Sequence, residues 1–229
     1  MDLQILWLES LPSEALIEAS QIRNLASVLR SRGDFLGALA AAQTAVRLNA
    51  EDSEAYNNLG IILIAQERQE NAITLFEAAL KIDPGMQQAH GNLGTVLISQ
   101  GLADEALVHL LKSLELNPYK ARTYNNLGAA MDLQGKSAEA LIYYRRALEL
   151  SPSSVLTYNN MGKTYMDLGN LDEAAAYFAK AIAIQPGLAD AYFHLGLVRA
   201  DQGNIQEATS HFRQVLQLDP AHGEAQQHL

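Results

Sequence analysis

Small residues recur along the chain at a fixed interval of 34 residues, and this interval constrains the fold more than any other feature. Glycines, prolines and alanines each keep the interval in their own phase. An internal period of about 20–50 residues is typical of solenoids, in which each repeat is one supersecondary unit that packs on its neighbours. The residues in phase are Gly60, Gly94, Gly128, Gly162 and Gly196; Pro84, Pro118, Pro152, Pro186 and Pro220; and Ala38, Ala72, Ala106, Ala140, Ala174 and Ala208.

Division of the chain at this period gives six units without insertions. We number the residues of each unit from position 1 to position 34. The predicted units are 19–52, 53–86, 87–120, 121–154, 155–188 and 189–222, and residues 223–229 begin a seventh, truncated unit. The apolar N-terminal segment, 1–18, is predicted to cap the first unit. The alternatives are self-association through this segment and its being the tail of an upstream part of the protein.

Each unit has the pattern of a helical hairpin, as the unit 87–120 illustrates. A first helix is predicted from about Gln88 to Ser99, and Gly101 suits the left-handed residue that follows a helix end. Acidic side chains then open a second helix, which Pro118 ends because proline cannot continue a helix. Gly94 and Ala106 are expected at the crossing of the two helices, where a larger side chain would force them apart.

The pattern resembles the tetratricopeptide repeat, whose framework places aromatic, small and apolar residues at eight positions. The resemblance covers 19–229, and it implies an all-α, right-handed superhelical solenoid of helix-turn-helix repeats. Unit 19–52 departs from the framework, because Ile22, Ala26 and Ala50 replace its aromatic residue, glycine and proline. In unit 121–154 the framework residues are Tyr124, Leu127, Gly128, Met131, Ala140, Tyr144, Ala147 and Pro152.

Asparagines form a second regular pattern, which the framework does not require. They occupy position 6 of five consecutive units and position 5 of three, and we call them the asparagine ladder. At 100° per residue, positions 2, 5, 6, 9, 12 and 13 of the first helix fall on one side, which we call the first-helix face. In tetratricopeptide superhelices this side lines the concave groove. The ladder comprises Asn24, Asn58, Asn92, Asn126 and Asn160 at position 6, and Asn57, Asn125 and Asn159 at position 5.

A row of amides can bind the main chain of an extended peptide, because each amide both donates and accepts hydrogen bonds. The row resembles the tetratricopeptide domain of O-linked N-acetylglucosamine transferases, in which position-6 asparagines hold a peptide by its backbone. The sequence therefore predicts a peptide-binding groove, and the change to His194 at position 6 indicates that uniform binding ends there. The predicted site also includes Ile61, Ile64, Ile98, Arg122, Lys163 and Met166.

Three alternatives stay open. The asparagines could be purely structural and bond neighbouring helices. The array could be the non-catalytic, substrate-recruiting domain of a larger glycosyltransferase-like enzyme, a hypothesis favoured by the absence of a polar capping helix before Leu229. It could also be a self-assembling scaffold that uses its apolar ends.

Composition excludes several other functions. The net charge of −10 argues against nucleic acid as a partner and against anionic membrane surfaces. The chain has no cysteine, and its six histidines follow no ligand-spaced motif, so we expect no metal, no cofactor and no catalytic residue. No apolar run is long enough to insert into a membrane. A cytoplasmic location is expected, with a periplasmic one left open.

Overall fold

Residues 13–229 are described by the computed structural model, and within this range the chain forms thirteen α-helices and no strand. The helices are α1 Ser13–Ser31, α2 Phe35–Leu48, α3 Ser53–Ile64, α4 Gln69–Ile82, α5 Gln87–Ser99, α6 Ala103–Leu116, α7 Ala121–Leu133, α8 Ser137–Leu150, α9 Val155–Asp167, α10 Leu171–Ile184, α11 Ala189–Asp201, α12 Ile205–Leu218 and α13 Gly223–Gln227. Most of the predicted capping segment, 1–12, lies outside the described residues, and its remainder, 13–18, belongs to α1.

From here on, each 34-residue segment is called a repeat. The helices fall into two larger compact bodies, which we call the first unit, ending at Asn117, and the second unit, beginning at Pro118. In the first unit, α1 packs on α2, α3 on α4 and α5 on α6. In the second, α7 packs on α8, α9 on α10, and α11 on α12, and α13 contacts α12. Within each unit the first helices of successive hairpins also contact each other, for example α3 with α5 and α9 with α11. Each unit is therefore a stack of sequence neighbours, as expected for a solenoid.

The turn inside each hairpin contains one residue in the left-handed region, at the same 34-residue interval. Gly101 has a φ of 75°, as predicted, and the amide of Leu102 bonds back to the carbonyl of Leu97 over 2.9 Å. In the turn between α3 and α4 the corresponding residue is Glu67, with a φ of 60°. A side chain is strained in this conformation, so the turn after α3 carries a cost that the glycine turns avoid.

The position-8 glycines let the two helices of a hairpin approach closely, as predicted for Gly94. A Cβ added at Gly162 would lie 2.6 Å from Cε1 of Phe178, a ring that is fully buried. A Cβ at Gly94 would lie 2.6 Å from the side chain of Leu110 and 3.4 Å from the carbonyl oxygen of Ala106. The space left by the missing side chain of the glycine is therefore filled by the large position-24 side chain of the second helix.

Gly162→Ala should destabilise the chain. Alanine favours the helix by about 1 kcal/mol over glycine. Overpacking a buried ring costs about 1–3 kcal/mol, and this term should prevail. We expect a net loss of about 1 kcal/mol in chemical denaturation. Gly187→Ala is the matched control, because a Cβ there meets nothing within 4 Å. An equal effect of the two changes would contradict the close-approach argument.

Candidate functional site

The structure places most of the asparagine ladder in partly or fully buried surroundings. In the first unit Asn57 and Asn92 are each 6% exposed, Asn58 is half-buried and Asn24 is exposed. In the second unit the buried asparagines are Asn125, Asn126 and Asn159, and Asn160 is half-buried. An amide that is removed from water needs hydrogen-bond partners inside the protein.

In the first unit these partners come from the neighbouring repeat. Nδ2 of Asn92, in α5, donates to Oδ1 of Asn57, in α3, over 2.9 Å. Nδ2 of Asn58 donates to Oγ of Ser27, in α1, over 3.2 Å. Each bond joins the first helices of two successive hairpins.

The second unit repeats the arrangement. Nδ2 of Asn160, in α9, donates to Oδ1 of Asn125, in α7, over 3.2 Å, and Nδ2 of Asn125 donates to Oδ1 of Asn126. Nδ2 of Asn159 donates to Oδ2 of Asp190, in α11, over 2.7 Å. The asparagines therefore connect adjacent repeats, a role left open among the alternatives. The sequence signal is a position-5 asparagine followed 35 residues later by a position-6 asparagine.

Two ladder residues keep an oxygen that makes no such bond. Oδ1 of Asn58 and Oδ1 of Asn160 have no hydrogen-bond partner within residues 13–229, and neither is among the fully buried polar atoms. Their donors are held by Ser27 and Asn125, so the orientation of each amide is fixed. Each unit thus presents one oriented acceptor on its first-helix face.

Apolar side chains accompany these acceptors. Ile61, Ile64 and Ile98 of the first unit are half-buried, and so is Met166 of the second. Half-buried side chains at positions 9 and 12 leave apolar area on the first-helix face of each unit. The predicted apolar and amide residues therefore share a face within each unit.

Charges on this face are largely paired between repeats. Arg23 Nη1 lies 2.8 Å from Asp52 Oδ2 and 3.1 Å from Glu54 Oε2. Lys163 Nζ lies 3.1 Å from Asp190 Oδ2. The predicted site residue Arg122 is exposed at position 2 of its repeat. Burial alone would raise the pKa of Asp190, but His194, Asn159 and Lys163 together lower it. Lys163 therefore has a structural partner that the sequence did not reveal.

His194 belongs to an aromatic cluster rather than to an open amide row. Its ring stacks on Phe178 at 5.5 Å and meets the edge of Phe193 at 5.6 Å. Its Nδ1 lies 2.7 Å from the carbonyl oxygen of Asp190, and burial lowers its pKa.

A polar junction at the hairpin of α7 and α8 was not predicted from the sequence. Tyr144 Oη donates to Asp132 Oδ2 over 2.8 Å, and Thr164 Oγ1, from α9, donates to the same oxygen over 2.7 Å. Burial raises the pKa of Asp132, and these two hydrogen bonds oppose that rise. The signal in the sequence is Thr164, a polar residue at position 10 where the other repeats have Val28, Ile62, Val96, Ala130 and Val198.

A histidine pair joins α5 and α6. Nδ1 of His90 and Nδ1 of His109 are 3.1 Å apart, and His90 Nε2 lies 3.1 Å from the carbonyl oxygen of Pro84. Two ring nitrogens bond only when one carries a proton and the other a lone pair, so the pair accommodates at most one cation. Burial lowers the pKa of His109, His90 lowers it further, and Glu77 opposes both.

Neither metal-ion nor membrane-spanning features occur in the part of the chain that the structure describes. Over residues 13–229 no three histidine, aspartate or glutamate side chains are grouped to hold a metal ion. None of the described helices is long and apolar enough to cross a membrane.

Family models decide the identity of the array. A tetratricopeptide repeat model matches residues 85–153 and 154–221, and a second tetratricopeptide repeat model matches 23–87. The chain belongs to the tetratricopeptide repeat family. The predicted all-α solenoid class is confirmed by these matches and by the helices described above. Tetratricopeptide repeat proteins bind protein or peptide partners and are generally non-catalytic, so the chain is a protein-interaction or scaffold module.

Solved tetratricopeptide structures resemble the chain closely in fold. PilW, a widely conserved type IV pilus biogenesis factor, is 23% identical with a TM-score of 0.82, over 91% of this chain and 97% of its own. YrrB, described as a TPR protein with an unusual peptide-binding site, is 26% identical with a TM-score of 0.57, over 82% and 96%. A chain of the APC/C Cut9-Hcn1 hetero-tetramer is 17% identical with a TM-score of 0.86, and the match spans 93% of this chain but 42% of that one. No curated protein matches significantly in sequence.

The amide pair between α3 and α5 can be tested by a double-mutant cycle. Asn92→Ala leaves the buried Oδ1 of Asn57 without this donor, and we expect a loss of about 1–3 kcal/mol in the free energy of unfolding. Because both changes remove the same bond, the double variant with Asn57→Ala should cost about 1 kcal/mol less than the sum of the single changes. Asn71→Ala, at an exposed site on α4, is the matched control. Additive effects would show that the bond contributes nothing.

Half-buried histidines should make the folded chain less stable in mild acid. Burial lowers the pKa of His109, His194 and His211 from 6.5, so the unfolded chain binds protons first as the pH falls. Above pH 6.5 these histidines are neutral in the folded and the unfolded chain and cost no stability. The free energy of unfolding falls as the pH drops from 6.5 toward their lowered pKa values in the folded chain. Asp132 acts oppositely, because burial raises its pKa in the folded chain, but it is one group against three histidines.

We therefore expect the thermal unfolding midpoint to fall between about pH 7.5 and 5.5. His109→Gln removes one of the three groups, so it should reduce this dependence. An unchanged slope in the variant, or a midpoint that rises on acidification of the parent chain, would contradict the assignment.

Proposed function

We propose that this tetratricopeptide array binds an extended peptide segment of a partner protein along the first-helix face of its units. The supporting observation is the pair of oriented acceptors, Oδ1 of Asn58 and Oδ1 of Asn160. Each amide is fixed through its donor to the preceding repeat, so little side-chain entropy remains to be lost when a peptide N–H binds.

The half-buried apolar residues give the same face a second means of binding. Ile61, Ile64 and Ile98 lie on the face that carries Asn58, and Met166 lies on the face that carries Asn160. Alternate side chains of an extended peptide point to opposite sides, so one set can contact this apolar area while main-chain N–H groups meet the amides. A solved relative, YrrB, is described as having a peptide-binding site. The proposed ligand contacts are therefore Asn58 and the three isoleucines in the first unit, and Asn160 and Met166 in the second.

The buried ladder members take a different part in this proposal. Asn57, Asn92, Asn125 and Asn159 join adjacent repeats, and the buried Asn126 accepts a hydrogen bond from Asn125. Replacing them would weaken binding by unfolding the site, so they are unsuitable as probes of ligand contact.

Backbone recognition can be tested on the ligand instead of the protein. Peptides would be selected by display on the whole chain, and the tightest one would be resynthesised with single N-methylated amides. Loss of one N–H donor to an amide acceptor should weaken binding about fivefold, the effect of a hydrogen bond worth about 1 kcal/mol. Titration calorimetry gives the dissociation constants.

Protein variants then locate the contact. Asn58→Ala and Asn160→Ala should each weaken a peptide bound to their own unit, whereas Asn71→Ala and Asn204→Ala, at exposed sites away from this face, should not. Thermal unfolding of every variant separates loss of contact from loss of structure. A ligand that tolerates N-methylation at every amide, or a selection that enriches no peptide, would contradict the proposal.

A further inference from the structure

A second surface of the unit beginning at Pro118 combines stacked tyrosines with cations. The rings of Tyr165 and Tyr177 are parallel to within 8°, with centroids 5.2 Å apart, and the ring of Tyr158 lies 6.2 Å from that of Tyr177. Lys180 Nζ lies 4.9 Å from the centroid of Tyr177, and Arg145 Nη2 donates to Tyr165 Oη over 3.4 Å. We call these five residues, from α8, α9 and α10, the tyrosine patch.

The charge of the patch is opposite to that of the chain. Arg145 and Lys180 are exposed, and neither has a carboxylate within ion-pair distance among residues 13–229. The neighbouring Arg146 is neutralised by Glu149. Two uncompensated cations therefore stand on a protein whose net charge is −10. Burial raises the pKa of Tyr177, and the nearby Arg145 cation opposes that rise, so the cation lies within electrostatic range of the tyrosine hydroxyl.

A hollow adjoins the patch on the same side of α8. Its volume is about 370 Å³, and the exposed side chain of Ile142 stands at its edge, 62% accessible. Arg145 lines both the hollow and the patch, so the two form one continuous surface. The lining residues are Tyr124, Ile142, Tyr143, Arg145, Arg146 and Glu149.

The repeat accounts for the tyrosines better than for the cations. Tyr158 stands at the aromatic framework position, and all three tyrosines pack against buried residues of their hairpins. At position 11, which Tyr165 occupies, the other repeats have Leu29, Leu63, Leu97, Met131 and Arg199. At position 25, which Arg145 occupies, they have Gln43, Glu77, Leu111, Ala179 and Arg213. Packing of the hairpins therefore explains the buried sides of the rings but not the two cations beside them. Arginine and tyrosine are, with tryptophan, enriched at the energetic centres of protein interfaces.

We propose that the tyrosine patch and its adjoining hollow bind a carboxylate-rich segment of a partner protein, with an apolar side chain of that segment in the hollow. Guanidinium, ammonium and phenol groups all donate hydrogen bonds to carboxylate oxygens. The acidic remainder of the chain repels such a segment elsewhere, and screening at physiological salt confines that repulsion to about 8 Å. Its residues from α8 and α10 lie outside the first helices, and its tyrosines from α7 and α9 stand at positions 4 and 11, which are not on the first-helix face. The proposal therefore does not depend on the function proposed above.

The probe for the test is a fluorescein-labelled peptide of alternating glutamate and leucine, measured by fluorescence anisotropy on the whole chain. We expect saturable binding that weakens with added salt, and no binding of the peptide with lysine in place of glutamate. The variant Arg145→Glu with Lys180→Glu should weaken binding about tenfold, because two attractions become repulsions. Lys81→Glu with Arg213→Glu changes the net charge equally at exposed sites outside the patch and should leave binding within about twofold.

Other outcomes would overturn the proposal. Equal weakening by both double variants would mean that only the net charge matters. Binding of a phosphoserine peptide but not of the glutamate peptide would exclude a carboxylate ligand. A mass that rises with concentration in the parent chain and stays constant in Arg145→Glu with Lys180→Glu would identify a second copy as the occupant. If the charge reversals disturb folding by circular dichroism, Arg145→Gln with Lys180→Gln replaces them, with an expected loss of about threefold.

Discussion

The distance between the two helices of the five hairpins after the first depends on one contact, the large position-24 side chain against the position-8 glycine. Phe76, Phe178 and Phe212 fill this place in three hairpins, and in each case a Cβ on the glycine would lie within 2.7 Å of the ring. Dispersion and burial reward the close approach only while the glycine lacks a side chain. The spacing then determines which first-helix residues of one repeat reach those of the next, and every inter-repeat hydrogen bond described above requires that reach.

Amides suit these inter-repeat positions because burial costs them less than it costs a charged group. An asparagine can donate within its own repeat and accept from the next one, as Asn125 does with Asn126 and Asn160. In the repeat whose position-6 residue is His194, the preceding position-5 amide, Asn159, donates to the carboxylate of Asp190 instead of to an amide. Lys163 forms an ion pair with the same carboxylate. The last repeats thus use a charged network in place of amide pairs. The first repeats show a related substitution in the pair of Arg23 and Asp52.

The hairpins could be predicted from the sequence almost completely. Glycine, alanine and proline each have a restricted structural role in a helical hairpin, and each recurs at the same 34-residue interval. The helix predicted from about Gln88 to Ser99 is observed as Gln87–Ser99. The site was harder, since a position on a helical wheel gives direction but not burial. Asn57 and Asn58 are adjacent in sequence, yet Asn57 is buried and Asn58 is half-buried. The hydrogen-bond partners of both residues lie in a neighbouring repeat. The sequence alone does not determine which polar group of that repeat a flexible amide side chain will bond.

The junction of Asp132, Tyr144 and Thr164 shows how one change in a repeat imposes others. Tyr144 stands where three repeats have phenylalanine, and a phenol buried at this depth requires an acceptor for its hydroxyl. Asp132 supplies that acceptor, but its carboxylate then needs a second donor, which Thr164 provides from the next repeat. Oδ1 of Asp132 is buried without a protein partner in the described chain, so the junction is not fully compensated. Such a network strengthens the match between particular repeats more than it stabilises the fold, because no other repeat supplies all three groups.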